Sequence, residues 1–442
     1  MKKIFNIIAL VALAAGSFAI SSCSDETPAE KDAGKTPVIK YARDCDPAKA
    51  DSLIVAASLG QKIAFVGDNL GDVQQIWFND VKASLNPNYV TSNVIIVDIP
   101  NVIAGEVTNE ARFITSSGIE TKYPFEIVVP GPQILTADCE WTKEGENMTF
   151  GGAYFVDDPN VPITCTFAGG KTAEIVSFNQ TSMTVTVPEG AQEGPVEVST
   201  IYGKGSSKWY YKDTRNMMFD FNGVDGYSGL AFSGWHAPVI SSGDLSIDKD
   251  YLLLNSDGSS IMTAAGGWDD SHFAFEFWPG DWNTPTSYPY EARKISSFID
   301  FSDFMNMSIK FEMLIPDSNP WQAGAMQLIF TSVSTVSMGN AGTDIYGQAV
   351  AGCNNDFIGS TDTPRGMYAP WSESEAFSTG GKWITVELPL SEFVYDSNTT
   401  KAGKPLTEAD FDGFTLFVTG GGRTGVDCYP MFYIDNIRVF QK

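Results

Sequence analysis

The residues in this chain best suited to chemistry are flat aromatic rings set among loop-forming neighbours. Phe277-Trp278-Pro279-Gly280-Asp281-Trp282-Asn283-Thr284-Pro285 places two tryptophans in a stretch poorly suited to helix or strand, and Tyr288 and Tyr290 follow around Pro289. Asn319-Pro320-Trp321-Gln322, Tyr368-Ala369-Pro370-Trp371 and Gly234-Trp235-His236 repeat the pattern. A ring held in the open offers its π-face to the axial C–H groups of a pyranose, while nearby polar side chains meet the hydroxyls. Arg293 and Arg365 lie close to these rings in sequence and could supply such hydrogen bonds. The candidate glycan-contacting residues are therefore Trp278, Trp282, Trp321, Trp371, Tyr288, Tyr368, Trp235 and Arg365. The competing reading makes each ring an ordinary half-buried core aromatic. Trp383 follows that reading, because Lys382-Trp383-Ile384-Thr385-Val386 alternates as a strand does. Trp268, beside Gly266-Gly267, fits either.

Catalysis has less support. Cleaving a glycosidic bond takes two carboxylates about 5–10 Å apart, and on a strand Glu and Asp two residues apart share a face. The nearest approach to a sandwich-glucanase signature is Glu408-Ala409-Asp410-Phe411-Asp412-Gly413, with glycine where the last carboxylate belongs. There is no Gly-x-Ser-x-Gly elbow, and two histidines, His236 and His272, suggest no triad. The chain reads as a non-enzyme. The alternatives are a glycoside hydrolase on a jelly-roll, or a structural or adhesive surface protein, which would have these rings buried.

A net charge of −26 offers no basic patch for nucleic acid and disfavours polyanionic partners, so a neutral ligand fits best. Aromatic residues reach 12% and charged residues only 19%, which suits a β-rich chain. No cofactor is implied beyond a possible structural calcium ion, for which Asp220 and Asp435 near two strand ends are the candidate oxygen ligands. If Cys23 is modified, Cys45, Cys139, Cys165, Cys353 and Cys428 remain, an odd number with no CxxC spacing.

The rings must be positioned by β structure, since short β-branched runs are broken by Gly, Asn and Pro and no long helical period occurs. Lys2 and Lys3 precede an apolar run from Ile4 to Ala19, too short to span a bilayer comfortably, so 1–22 reads as a signal peptide. Residues 23–36 are polar and read as a flexible tether. An internal repeat follows. Lys62–Leu70 (KIAFVGDNL) matches Asn147–Phe155 (NMTFGGAYF), and Tyr89–Pro100 matches Asn179–Pro188. This gives two small sandwiches, 37–130 and 131–212. Residues 213–442 form a larger sandwich whose first strand (Met218-Phe219-Asp220-Phe221) and last (Phe432–Val439) are expected to pair. Core strands are expected at 308–315, 326–331, 383–388 and 413–418.

Several of these stretches resemble known families. Ile20-Ser21-Ser22-Cys23 resembles a bacterial lipobox, which implies lipidation of Cys23. Ser24-Asp25-Glu26 resembles the export signal of Bacteroidetes lipoproteins, which implies an outer-membrane anchor facing the cell exterior. The repeats resemble IPT/TIG immunoglobulin-like domains, usually spacers. The terminal region, with KFEMLIPDSNPWQAGAMQLIF, MYAPW, GGKWITVELPLSEF and FYIDNIRV, resembles the Bacteroidetes surface glycan-binding proteins of the xyloglucan-binding B type. That resemblance implies an all-β chain of two tandem Ig-like (IPT/TIG) sandwiches followed by a C-terminal jelly-roll. It implies capture of a neutral polysaccharide, a β-glucan or hemicellulose such as xyloglucan or mixed-linkage glucan, beside SusC-like TonB-dependent transporter and SusD-like lipoprotein partners of a polysaccharide utilisation locus. Trp321 and Trp371 lie in the matching motifs and take a stacking role from it.

Overall fold

Short runs of β-branched and aromatic residues form strands that pair antiparallel, apart from the parallel pair of Ala56–Ser58 with Glu126–Val128, and the expected all-β architecture is observed. The computed structural model describes residues 26–49, 52–222, 236–278, 294–332 and 356–441. The chain divides into two compact units, Met1–Val129 and Pro130–Lys442.

The first unit is a sandwich of two four-stranded sheets. One has the order Leu53–Ile54, Val38–Asp44, Lys62–Asp68, Val94–Asp98; the other is Val81–Lys82, Val73–Phe78, Glu110–Thr115, Glu120–Pro124. Glu110–Thr115 alternates buried and half-buried positions, as one face packs inward. Phe65 centres that core, with Phe113 at 4.9 Å and Phe125 at 5.5 Å in edge-to-face contact. The expected flexible tether is partly ordered. Pro28–Asp32 is a short helix capped reciprocally by Thr27 and Glu30. The buried Asp32 carboxylate accepts the Gly71 N–H at 3.0 Å, which docks the helix on the sandwich.

The second unit begins with the other copy of the repeat. Its sheets are Gln133–Ala137, Asn147–Ala153, Ser182–Thr186, Glu174–Phe178 and Lys171–Thr172, Thr164–Phe167, Gly194–Thr200, Gly203–Tyr211. The repeat is physical as well as textual. Gly67 pairs with Ile39 beside a bulge, and a Cβ on it would lie 1.8 Å from the Val38 carbonyl oxygen. Gly152, the equivalent residue, pairs with Ile134 beside a bulge, and its Cβ would lie 2.0 Å from the Gln133 carbonyl oxygen. Glycine is required here by the close approach of a neighbouring strand.

The rest of the second unit is a larger two-sheet sandwich. Its first sheet runs Ile240–Ser242, Asp250–Leu254, Phe432–Gln441, Met307–Leu314, Ile384–Pro389, and Met217–Phe219 also pairs with Phe432–Gln441. The expected pairing of first and last strands is thus present, with Met217 opposite Arg438 and Phe219 opposite Ile437. The second sheet runs Ala274–Phe277, Gly413–Thr419, Ala325–Thr331, Gly366–Tyr368. Phe219 bridges the sheets, touching Phe275 at 5.0 Å and Phe277 at 5.3 Å.

Met307–Leu314, Ala325–Thr331 and Gly413–Thr419 are buried at every position. Strand side chains alternate between faces, so the outer faces of both sheets are covered. The cover of the first sheet is the preceding Ig-like sandwich. Glu140 reaches Lys310 Nζ at 2.6 Å and Arg438 Nη2 at 2.7 Å, and Arg438 Nη1 reaches Glu312 at 2.7 Å. Thr385 ties the same seam, donating its N–H to Asp138 O at 2.8 Å and accepting the Glu140 N–H at 2.7 Å.

Gly67→Ala and Gly152→Ala should each destabilise their own unit by about 1–3 kcal/mol through overpacking. Urea unfolding measures this, and unchanged midpoints would mean the neighbouring strands part freely.

Candidate functional site

The rings expected in open loops divide into buried, exposed and undescribed groups. Trp321 is fully buried. Its indole N–H donates to Ala323 O at 2.6 Å, and its ring meets Phe432 edge-to-face at 5.1 Å and Tyr368 at 6.0 Å. Backbone bonds exchanged with Phe377, both 2.9 Å, fold the 316–324 loop back over the end of the sandwich. Trp371 is buried as well, its indole N–H held by Gly324 O at 2.6 Å. Tyr368 is half-buried, and burial pushes its phenol up to about 12. The expectation that these tryptophans stand exposed is corrected: each sits in the core with its polar atom satisfied by a loop carbonyl.

Trp278 and Arg365 belong to the cover over the outer face of the second sheet. That face carries Gln327 beside Phe417 and Ala274, then Ile329 beside Thr415 and Glu276. Trp278 is fully buried, donates to Thr415 Oγ1 at 3.1 Å and packs on Phe357 at 6.0 Å. Arg365, also expected at the surface, is fully buried. Its guanidinium donates to Gln327 Oε1 at 2.6 Å and to the carbonyls of Ile358, Phe357 and Ser360 at 2.7–3.2 Å. Burial lowers its pKa to about 10, which still leaves it cationic at neutral pH. Arg365 organises a turn and has no hand free for a sugar. Trp235, Trp282, Tyr288 and Arg293 lie outside the described residues, as does Cys23.

The exposed rings are ones that sequence reasoning left open or passed over. Trp268 is 52% exposed, while its ring stands at right angles to buried Phe417 at 5.1 Å. Gly266 makes this possible: its φ is +72°, and a Cβ there would lie 2.4 Å from the Gly420 nitrogen. Thr419 Oγ1 donates to Gly267 O at 2.7 Å, pinning the loop to the strand end. The 261–268 segment is stitched to the 420–429 loop by Met262–Cys428 bonds of 2.8 and 2.9 Å and by Gly425 N–H to Ala264 O at 2.7 Å. Ala264 N–H also donates to Asp427 at 2.6 Å. The paired loops display Val426 and Tyr429, 58% and 49% exposed, with Arg423 also in solvent. The Gly266-Gly267 and Gly420-Gly421-Gly422 runs are the sequence signal for such a rigid, exposed loop pair.

Fixed open rings on stitched loops suit stacking on a neutral ligand. Residues 211–441 match the family described as the surface glycan-binding protein B xyloglucan binding domain. The chain belongs to the surface glycan-binding protein B family. It is 38% identical to surface glycan-binding protein PbSGBP-B from Prevotella bryantii, with a TM-score of 0.82, covering 92% of this chain and 99% of that one. An IPT/TIG domain-containing protein of Bacteroides ovatus is 35% identical over 145 residues, 31% of this chain and only 28% of that protein.

As a member of the surface glycan-binding protein B family, the chain is not an enzyme. The stretch that came nearest to a hydrolase signature has a structural job. Asp410 accepts the Thr407 N–H at 2.8 Å and its hydroxyl at 2.8 Å, capping the turn Glu408–Asp410. Asp269 accepts from both the Ser260 hydroxyl and His272 Nδ1, so the serine faces a carboxylate and has no imidazole to activate it.

Among the described residues no group of three or more His, Cys, Asp or Glu side chains, Asp220 and Asp435 included, is arranged to hold a metal ion. Asp435 is fully buried, and its carboxyl is pushed up to about 10, first by burial and then by the neighbouring Asp248.

Two outcomes follow for this region. Trp321→Ala should cost about 3–5 kcal/mol of stability, whereas Trp268→Ala should leave the melting temperature nearly unchanged; equal shifts would contradict the burial difference. The folded chain keeps the Asp435 proton up to about pH 10 while the unfolded chain loses it near 3.8, so stability drains away as pH rises through that window. Asp435→Asn should then be more stable than the unsubstituted chain at about pH 8, with the gap closing towards pH 4 in urea titrations. Stabilisation of the unsubstituted chain by added calcium, absent from the variant, would instead make Asp435 a ligand.

Proposed function

We propose that this chain captures a neutral β-glucan or hemicellulose, xyloglucan or mixed-linkage glucan foremost, by stacking sugar rings on the stitched loops that carry Trp268. The observation that carries the reading is an open tryptophan, fixed by Gly266 and Phe417, inside the region matching a xyloglucan-binding family. The net charge of −26 fits an uncharged polymer. Each stacked ring is worth about 1 kcal/mol beyond burial, so a few rings give oligosaccharide affinities of about micromolar order. Many copies on one cell would then hold a long polymer far more tightly.

In the same reading Cys23 carries a lipid that anchors the protein in the outer membrane facing outward, beside SusC-like and SusD-like partners that import what it captures. The ordered helix Pro28–Asp32 begins five residues after Cys23 in sequence.

The test is calorimetric titration of the chain with xyloglucan, mixed-linkage β-glucan, laminarin, mannan and starch, with a reducing-sugar assay in parallel. Saturable binding to a β-linked polymer without new reducing ends is expected. Trp268→Ala should weaken it about fivefold or more, the equivalent of about 1 kcal/mol. Unchanged affinity in that variant would move the site away from these loops, and silence on every polymer would favour a structural role.

A further inference from the structure

The seam between the Ig-like sandwich 131–212 and the terminal sandwich is not closed along its whole length. Beside the buried charges it opens into a cleft of about 450 Å³, within the range of about 300–1,000 Å³ usual for small-molecule sites. One turn segment contributes to both features. Glu140 points into the ion pairs, while its neighbours Cys139 and Trp141 line the cleft. On the facing sheet Glu312 joins the ion pairs and Leu314, two residues on and so on the same face, lines the cleft.

Trp383 forms one wall. It was expected in the core, yet it is half-buried and packs with Trp141 and Ile247 at the seam. Its indole N–H donates to Leu245 O at 2.7 Å, and its ring stands edge-to-face on Tyr251 at 5.9 Å and Tyr433 at 6.5 Å. Those contacts fix the plane of the ring. Thr385, two residues further, is bonded across the seam, so the wall cannot swing relative to Trp141. The rim supplies exposed polar groups of both kinds, Asn147, Asp244 and Lys382. A fixed aromatic wall, an apolar floor and mixed donors and acceptors match the two chemistries of a sugar ring, C–H faces and hydroxyls.

We propose that this cleft is a second saccharide site, separate from the Trp268 loops, taking one or two neutral sugar units of the same glycan. It rests on the reading of the chain as a glycan binder. Two sites on one rigid unit would let one chain grip a polymer at two points or hold two chains at once.

The test is calorimetry of the full chain with cellohexaose and with a xyloglucan oligosaccharide, followed by stoichiometry. The expected result is two oligosaccharides per chain. Trp383→Ala should bring this to one, and Trp268→Ala should remove the other. Lys382→Ala, on the exposed rim, guards against misfolding of the tryptophan variant and should weaken the second site about threefold or more. A stoichiometry of one that Trp268→Ala abolishes and Trp383→Ala leaves untouched would overturn this site while preserving the main reading. No binding in the unsubstituted chain would overturn both.

Discussion

Glu140 is where two sandwiches become one body. A carboxylate from the Ig-like sandwich is bonded to a lysine and an arginine of the terminal sandwich, and that arginine is shared with Glu312. All four side chains are almost wholly buried, so their desolvation is costly and the charges must balance locally, two against two. Apolar contact alone would let two sheets slide. Paired charges with fixed hydrogen-bond directions define one relative placement, and removing any one would leave the buried charges unbalanced. Burial pulls the Glu312 pKa up to about 7, while the Arg438 guanidinium and the Thr385 hydroxyl pull it back. The terminal sandwich therefore cannot be understood as a module hung on a spacer. Its first sheet uses the Ig-like sandwich as the second half of its packing.

What could be read from the chain and what could not separate along a physical line. Strand positions depend on short-range alternation, and the four expected core strands all form. The repeat was legible because both copies solve the same steric problem, a glycine under a neighbouring carbonyl at Gly67 and Gly152. The seam was not legible. Lys310, Glu312 and Arg438 alternate with apolar residues and so look like a solvent face, while Glu140 lies 298 residues from Arg438. Charged residues at matching positions of two paired strands were the available hint.

The tryptophans went wrong for a related reason. Proline, glycine and asparagine around Trp321 and Trp371 do mark irregular backbone. They say nothing about whether that backbone turns outward or folds over the end of the sheets. For both rings the loop folds inward, and a carbonyl meets each indole N–H, from Ala323 for Trp321 and from Gly324 for Trp371. Trp268 has the opposite arrangement: its glycine neighbours are used to press backbone on backbone at Gly420, which lifts the ring out. Glycine beside a tryptophan thus signalled exposure better than proline did.

Division of labour among the rings follows from these constraints. A platform for a polymer must be stiff, because every rotamer frozen on binding subtracts from a stacking energy of about 1 kcal/mol. Stiffness in exposed loops has to come from beneath. Here the buried tryptophans lock the end of the sandwich, Arg365 ties four groups under the second sheet, and the 261–268 and 420–429 segments bond to each other directly. On the proposed assignment of the site to the Trp268 loops, substituting the buried rings would loosen the platform from beneath. A loss of binding at Trp321 or Trp371 is therefore evidence of contact only when the melting temperature is unchanged.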